Sequence, residues 1–331
     1  MLENLVLGGC QLKGLAFIGA VKYLEELDII DDIKNICGVS SGSIFALAIC
    51  LGFTSYELEE ISIGLSIDDL KSIENKNVFK LFENYGFDNG SQFLKLFKII
   101  LEKKTGNSEC TFKELKKFTN KKNLIVLGTN LTLCQSEIFS ENTTPDMKVY
   151  DALRISISFP LVFEKVCYNN NCYADGGVMA NFPIDIFDDD IDKTLGIVVN
   201  SKRNISEIVS FDQYLIRILY LLSFQKQELL CQKYKEHSIK ITVEYGLLSI
   251  NFSNKTKKYL IEEGYKQFKD NFDFNKYYKK ALISKDSLDK ENNLSQTDID
   301  EDIKSLVDEI KDKISVEEKN KNRLNNIINN I

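Results

Sequence analysis

A chain of 331 residues, 44% hydrophobic and 27% charged, is long enough to bury one α/β domain with an appendage and has ordinary globular composition. Its formal charge of −7 argues against nucleic acid as the main partner, because phosphate backbones draw positive faces. The opening residues lack the basic flank and apolar run of a signal peptide. Of two apolar stretches, residues 44–53 are too short to span a bilayer, and Arg217 interrupts residues 214–224. A cytoplasmic chain that meets membranes only peripherally is expected. The eight cysteines include no CxxC pair, so they read as buried thiols of a reducing compartment rather than a zinc or thioredoxin-type site. No acidic or histidine cluster has ligand spacing, so no metal or other cofactor is expected.

In chain order, Asn4-Leu5-Val6-Leu7 is a short apolar run ending at Gly8-Gly9, the pattern of a buried strand entering a tight loop. The loop Gly8-Gly9-Cys10-Gln11-Leu12-Lys13-Gly14 then leads into a helix with apolar residues at Leu15, Ile18, Val21 and Leu24. Amide groups of such a loop converge on one point and make a generic anion cradle. Gly14 is followed by Leu15, which excludes a P-loop, and the spacing of a dinucleotide fingerprint is absent. A plain tight turn and an oxyanion hole beside Lys13 are the readings left.

A second strand, residues 33–37, reaches Gly38, and residues 41–53 form a nearly all-apolar helix that must be buried on every side. Between them Gly38-Val39-Ser40-Ser41-Gly42 fits G-x-S-x-G in the strand-turn-helix setting that pattern requires. A hydroxyl projecting from a sharp turn needs Gly38 and Gly42 where side chains would collide with the neighbouring strand or helix. The helix N-terminus supplies free amides beside developing negative charge. Ser40 is thus the candidate nucleophile, while Ser41 and Ser43 fall out of frame and read as capping residues.

Residues 55–120 read as mostly helical. Their Phe79, Phe82, Phe87, Phe93 and Phe97 suit an acyl channel and core packing equally well. Lys113, Lys116, Lys117, Lys121 and Lys122 form a basic cluster, more simply a solvated helix face than a lipid contact. Strands at residues 124–128 and 195–199 alternate with helices, which indicates a parallel or mixed sheet covered on both faces. Tyr173-Ala174-Asp175-Gly176-Gly177 places an acid before two glycines, in isolation only a turn. From residue 284 a charged linker leads to Ile299, Ile303, Leu306 and Ile310 at 4-3-4 spacing. That pattern marks an amphipathic helix that docks on its own domain or self-associates through residues 298–316.

Taken in order, the glycine loop with its Lys13, the Ser40 pentapeptide and Asp175-Gly176-Gly177 resemble the motifs of the patatin-like phospholipase family. Asp151-Ala152-Leu153-Arg154-Ile155-Ser156-Ile157-Ser158-Phe159-Pro160 and Val178-Met179-Ala180-Asn181-Phe182-Pro183 resemble two further family segments. The resemblance covers residues 4–200 and, more weakly, 252–264. It implies a three-layer α/β/α domain with a central mostly parallel sheet over residues 1–283, followed by a helical tail over 284–331. It also implies a serine hydrolase with a Ser40–Asp175 dyad, oxyanion amides at Gly9, Cys10 and Gln11, and support from Lys13, Gly14, Gly38, Gly42, Gly176 and Gly177. The implied substrate is a fatty acyl ester of a phospholipid or another polar lipid, met at a transient membrane surface. One departure stands out. Cys10 and Gln11 occupy places where the family usually has glycine, which restricts positive φ and opens the alternative of a weak or inactive lipid-binding scaffold.

The single histidine, His237, lies in the polar run Lys233-Tyr234-Lys235-Glu236-His237, expected to be exposed. A Ser-His-Asp esterase would need it beside Ser40. In a dyad the aspartate itself takes the serine proton, and a free aspartate with a pKa of about 3.9 is a poor base near neutrality. Burial is therefore expected to raise the pKa of Asp175.

Overall fold

Residues 1–72, 83–119, 122–202, 208–244, 252–278 and 300–313 are described by a computed structural model of the chain. The strands are β1 (Asn4–Leu7), β2 (Asn35–Val39), β3 (Gly86–Asp88), β4 (Asn123–Asn130), β5 (Gln135–Ser140), β6 (Leu161–Phe163), β7 (Val166–Tyr168), β8 (Asn171–Asp175), β9 (Thr194–Ser201) and β10 (Ser238–Val243). The helices are α1 (Ala16–Glu26), α2 (Ser41–Cys50), α3 (Ser55–Gly64), α4 (Ser91–Thr105), α5 (Phe112–Phe118), α6 (Val149–Ser156), α7 (Gly177–Ala180), α8 (Phe211–Lys233), α9 (Asn254–Asn271), α10 (Phe274–Tyr278) and α11 (300–313).

The main sheet runs β10-β9-β1-β2-β4-β8-β7, with β5 on β4. Its first five strands are mutually parallel, while β5, β8 and β7 join antiparallel. Alternation along the strands splits the core in two. Leu5, Leu7, Ile36, Leu124, Val126, Ile197 and Val199 face the layer that includes α1, α2 and α9. Val6, Cys37, Val39, Ile125, Leu127 and Val198 face Phe182, Ile184, Cys231 of α8 and Tyr234. This is the three-layer α/β/α arrangement, with a mostly parallel central sheet. Among the described residues no helix is long and apolar enough to cross a membrane.

The edge of β4 decides where chemistry can occur. Residues Ile125 to Leu127 pair with β2 and also with β5, so those two strands lie on opposite edges. Gly128 to Asn130 pair with β5 and also with β8, which puts β8 on the same edge as β2. The two strands therefore meet end to end, Val39 opposite Leu127 and Asp175 opposite Gly128. Whatever follows Val39 is aimed at Asp175.

The thiol expectation needs correcting. Cys10, Cys37, Cys50, Cys110 and Cys231 are buried, but Cys134 and Cys167 are exposed and Cys172 is half-buried, because these three lie on hairpin ends. The tail seam is likewise not spare. Ile303, Leu306, Val307 and Ile310 are all buried within the main core, and Val307 packs where a Cβ on Gly64 of α3 would sit. Tyr56 of α3 donates to the Asp300 carboxylate. Ile299 and the linker lie outside the described residues. The seam is thus occupied by the chain's own α3, which leaves little of it for self-association.

Ile310 is 0% exposed, so Ile310→Ala is expected to lower stability by about 2–5 kcal/mol in urea unfolding. Particle mass in sedimentation should not change. A fall in mass with unaltered stability would mean that the seam serves assembly instead.

Candidate active site

The turn after β2 is forced into a strained shape. Ser40 has φ 52° and ψ −129°, a region costing about 1–3 kcal/mol for a residue with a side chain. Its neighbours hold it there. The Ser40 N–H donates to Ser156 Oγ at 3.0 Å, and its carbonyl accepts from Ser43 N–H at 2.9 Å and Ser43 Oγ at 2.6 Å. The tightness explains the flanking glycines: a Cβ on Gly42 would lie 2.3 Å from the Leu7 carbonyl oxygen, and one on Gly38 2.5 Å from that of Gly42. The α2 N-terminus begins directly after Ser40, so its dipole faces the hydroxyl.

Asp175 ends β8 and is 1% exposed. Its Oδ2 accepts from Ser40 Oγ at 2.6 Å and its Oδ1 from Gly177 N–H at 2.7 Å. Its backbone is fixed too: its N–H donates to the Ser158 carbonyl at 2.9 Å and its carbonyl accepts from Thr129 Oγ1 at 2.9 Å. The carboxyl pKa is pushed up to about 7, first by burial, with the hydrogen bonds from Ser40 and Gly177 pulling the other way. Gly176 sits against β4, where a Cβ would lie 2.3 Å from the Leu127 carbonyl oxygen.

One segment ties both sides together. Ser156 Oγ holds the Ser40 amide, the Ser156 carbonyl accepts from Gly176 N–H at 3.3 Å, and the Ser158 carbonyl holds Asp175. Buried Arg154 anchors that segment by donating to Ser158 Oγ at 2.6 Å and to the Asn89 carbonyl at 2.9 Å. None of these roles was assigned from sequence, where Ser156 and Ser158 were only part of a motif.

The glycine loop departs from expectation at its first amide. Gly9 N–H donates to the Asn181 carbonyl at 3.0 Å and is therefore not a free donor, because the loop is tied down to the turn after α7. Cys10 N–H points to Ser41 Oγ at 3.2 Å, so Ser41 serves the loop rather than capping α2. Gln11 N–H has no hydrogen-bond partner among the described residues. Gln11 itself has φ 59°, the left-handed region that costs a residue with a Cβ about 1–2 kcal/mol. Lys13 is 2% exposed and reaches Gln11 Oε1 at 3.5 Å, and its pKa is lowered by burial. Gly14 lies behind, where a Cβ would meet the Phe45 ring at 2.7 Å.

Gly9, Cys10, Gln11, Lys13, Ser40, Asp175 and Gly177 line one cavity of about 40 Å³. Its far wall is Tyr220, Ser223, Phe224 and Gln227 of α8, with Phe159 beside them. Asn181 links the layers, its Nδ2 donating to the Gly9 carbonyl at 2.9 Å and to Gln227 Oε1 at 2.6 Å. The α8 wall had no sequence signal beyond an apolar stretch. By contrast, Phe97 is fully buried and Phe93 packs on Phe97 and Phe163, so these two belong to the core; Phe79, Phe82 and Lys121 lie outside the described residues. Lys122 donates to the Ile30 carbonyl at 3.0 Å, while Lys113 and Lys117 face solvent.

His237 is not near Ser40. It precedes β10 by one residue, level through β9 and β1 with Ile36 of β2. Three strand spacings and four residues of rise separate it from Ser40, roughly 14 Å across and 13 Å along the sheet. It is also less exposed than expected: the side chain is 14% exposed, and its Nε2 lies 3.8 Å from Asp192.

The raised pKa of Asp175 has a stability consequence. The folded chain disfavours the ionised form, so stability present below the ordinary aspartate range is lost as pH rises from 3.8 through about 7. Asp175→Asn keeps the hydrogen-bonding shape without the charge. It should melt higher than the parent on the alkaline side of neutrality, with the advantage vanishing at acidic pH. A pH-independent difference in thermal unfolding would contradict this.

Known proteins resemble this chain in sequence and in fold. The family model described as patatin-like phospholipase matches residues 5–188. An uncharacterized protein, R571, of Acanthamoeba polyphaga mimivirus is 32% identical over 283 residues, covering 81% of this chain and 93% of its own. The probable lipid hydrolase 463L of Invertebrate iridescent virus 6 is 35% identical over 246 residues, covering 73% of this chain and 77% of its own. Among solved structures, VipD from Legionella pneumophila matches with a TM-score of 0.61 at 17% identity, over 81% of this chain and 66% of VipD, a likeness of fold. With more than half its length matched and viral relatives above 30% identity, the chain belongs to the patatin-like phospholipase family.

Proposed function

We propose that this chain hydrolyses fatty acyl esters of phospholipids or related polar lipids through an acyl-serine intermediate, with Ser40 as nucleophile and Asp175 as its only base. The observation that carries the reading is the 2.6 Å hydrogen bond from Ser40 Oγ to Asp175 Oδ2 at the head of α2. Asp175 takes the hydroxyl proton as Ser40 Oγ attacks the ester carbonyl. The tetrahedral oxyanion accepts a hydrogen bond from the Gln11 amide, and from the Cys10 amide once that group turns from Ser41 Oγ, with Lys13 and the α2 dipole adding positive potential. Collapse expels the alcohol, which receives the proton back from Asp175. Water then repeats the cycle on the acyl-serine and releases the fatty acid. A carboxyl pKa of about 7 suits this shuttling near neutrality. Ser40→Ala and Asp175→Asn are each expected to lower release of fatty acid from defined phospholipids by about 10⁴-fold or more, with folding intact. Full turnover by either variant would refute the assignment.

The partner in this reading is a lipid surface. The pocket is narrow, about 40 Å³ against roughly 300–1,000 Å³ for ligand pockets, and in this reading its α8 wall shifts outward as an acyl chain enters. The outer face of α8 carries Phe211, Tyr214, Ile218, Leu221 and Leu222 at helical spacing, between 38% and 75% exposed. Apolar side chains on a wall of the pocket suit contact with a bilayer that supplies both the substrate and the apolar surroundings for the helix. Leu221→Ser with Leu222→Ser should weaken vesicle binding and vesicle-lipid hydrolysis at least about tenfold. Hydrolysis of a soluble short-chain ester should be spared. Equal losses on both substrates would show that α8 only shapes the pocket.

A further inference from the structure

Two of the exposed or half-buried thiols stand directly opposite each other. In the β7–β8 hairpin Cys167 pairs with Cys172, Tyr168 with Asn171, and the turn is Asn169-Asn170 with φ 46° and 62°. Two consecutive residues at positive φ are the turn that matches strand twist, and asparagine tolerates it best after glycine. The five-residue offset in sequence is thereby converted into a cross-strand pair. The ladder pattern sets how close that pair is. Cys172 N–H donates to Thr132 Oγ1 at 2.9 Å, and its carbonyl accepts from Leu131 N–H at 2.8 Å. Both backbone groups of Cys172 thus turn away from β7, so its pairing with Cys167 is the non-hydrogen-bonded kind, in which side chains approach most closely. The two sulfurs lie 3.4 Å apart.

We propose that Cys167 and Cys172 are a dithiol site that hydroperoxides convert into an intrachain disulfide, clasping the terminal strand β7 to β8. One thiolate attacks the peroxide oxygen, giving a sulfenic acid and releasing water or an alcohol. The second thiolate attacks the sulfenic sulfur, the S–S bond forms, and the oxygen leaves as water with the two thiol protons accounted for. The peroxide is the species reduced. Access makes the site selective, because Cys10, Cys37, Cys50, Cys110 and Cys231 are buried and burial raises their thiols above the ordinary value. The clasp also spares the neighbouring carboxyl. Cys172 precedes Asp175 by three residues on β8, an odd offset, so the two side chains leave opposite faces of the strand. The Cys167 thiol is raised by the hydrogen bond it shares with Cys172, so the reaction should quicken with rising pH.

The test treats the full native chain with hydrogen peroxide, blocks remaining thiols with an alkylating agent, and maps peptides with and without prior reduction by a dithiol. The expected result is a single reducible Cys167–Cys172 crosslink, Cys134 alkylated, and a higher thermal midpoint that disappears on reduction. In Cys167→Ser the crosslink and the thermal shift should both be lost, and Cys172 should carry a sulfenic acid instead. A crosslink to Cys134, alkylation of both Cys167 and Cys172 after oxidation, or a crosslinked chain with an unchanged midpoint would overturn the proposal.

Discussion

The arrangement depends on one shared sheet edge. Strand β4 is eight residues long, and its first part takes β2 as neighbour while its last part takes β8. Two strands far apart in sequence therefore end against each other on adjacent residues of a third, Leu127 and Gly128. The chain leaves β2 through a turn too tight to point anywhere but along that edge, and β8 delivers a carboxylate to meet it. The Ser156–Ser158 segment then bonds to both backbones, so the hydroxyl and the carboxyl are referenced to one rigid frame. The strain stored at Ser40 is carried by these bonds and by the buried sheet beneath.

The electrostatics follow from the same placement. Asp175 is buried at the end of β8, where that strand meets the end of β2, and its two oxygens are satisfied by a hydroxyl and an amide rather than by a cation. Burial thus outweighs the hydrogen bonds and raises its pKa. A paired arginine would have lowered it and left a poor base. The proposed dyad needs no imidazole for this reason, and the lone histidine sits at the other end of the strands.

Much of this was legible in the sequence, for a definable reason. The glycine loop, the Ser40 turn and the Asp175 turn are local: each owes its residues to backbone geometry within a few positions. The strand-helix alternation likewise implied a sheet covered on both faces. What the sequence did not carry was relative placement. That β2 and β8 share an edge of β4 depends on long-range pairings, which bring together Ser40 and Asp175 from 135 residues apart in sequence. The role of Ser41 as acceptor for the Cys10 amide, the loss of the Gly9 amide to Asn181, and the wall supplied by α8 arise only when layers close over one another. Gln11 was marked as an obstacle to positive φ, yet the chain adopts φ 59° there, because the loop is pinned on both sides. The spacing of Cys167 and Cys172 alone does not reveal the two-residue hairpin turn that brings them to the surface as a cross-strand pair.

The most direct measurement is the pH dependence of covalent capture of the nucleophile by a fluorophosphonate ester, with the modified peptide identified by mass. A hydroxyl activated by a buried carboxylate should yield one adduct, on Ser40, at a rate that rises with pH through an inflection at about 7 and loses that inflection in Asp175→Asn. An adduct on another residue, or an inflection that persists when Asp175 is replaced, would contradict the account.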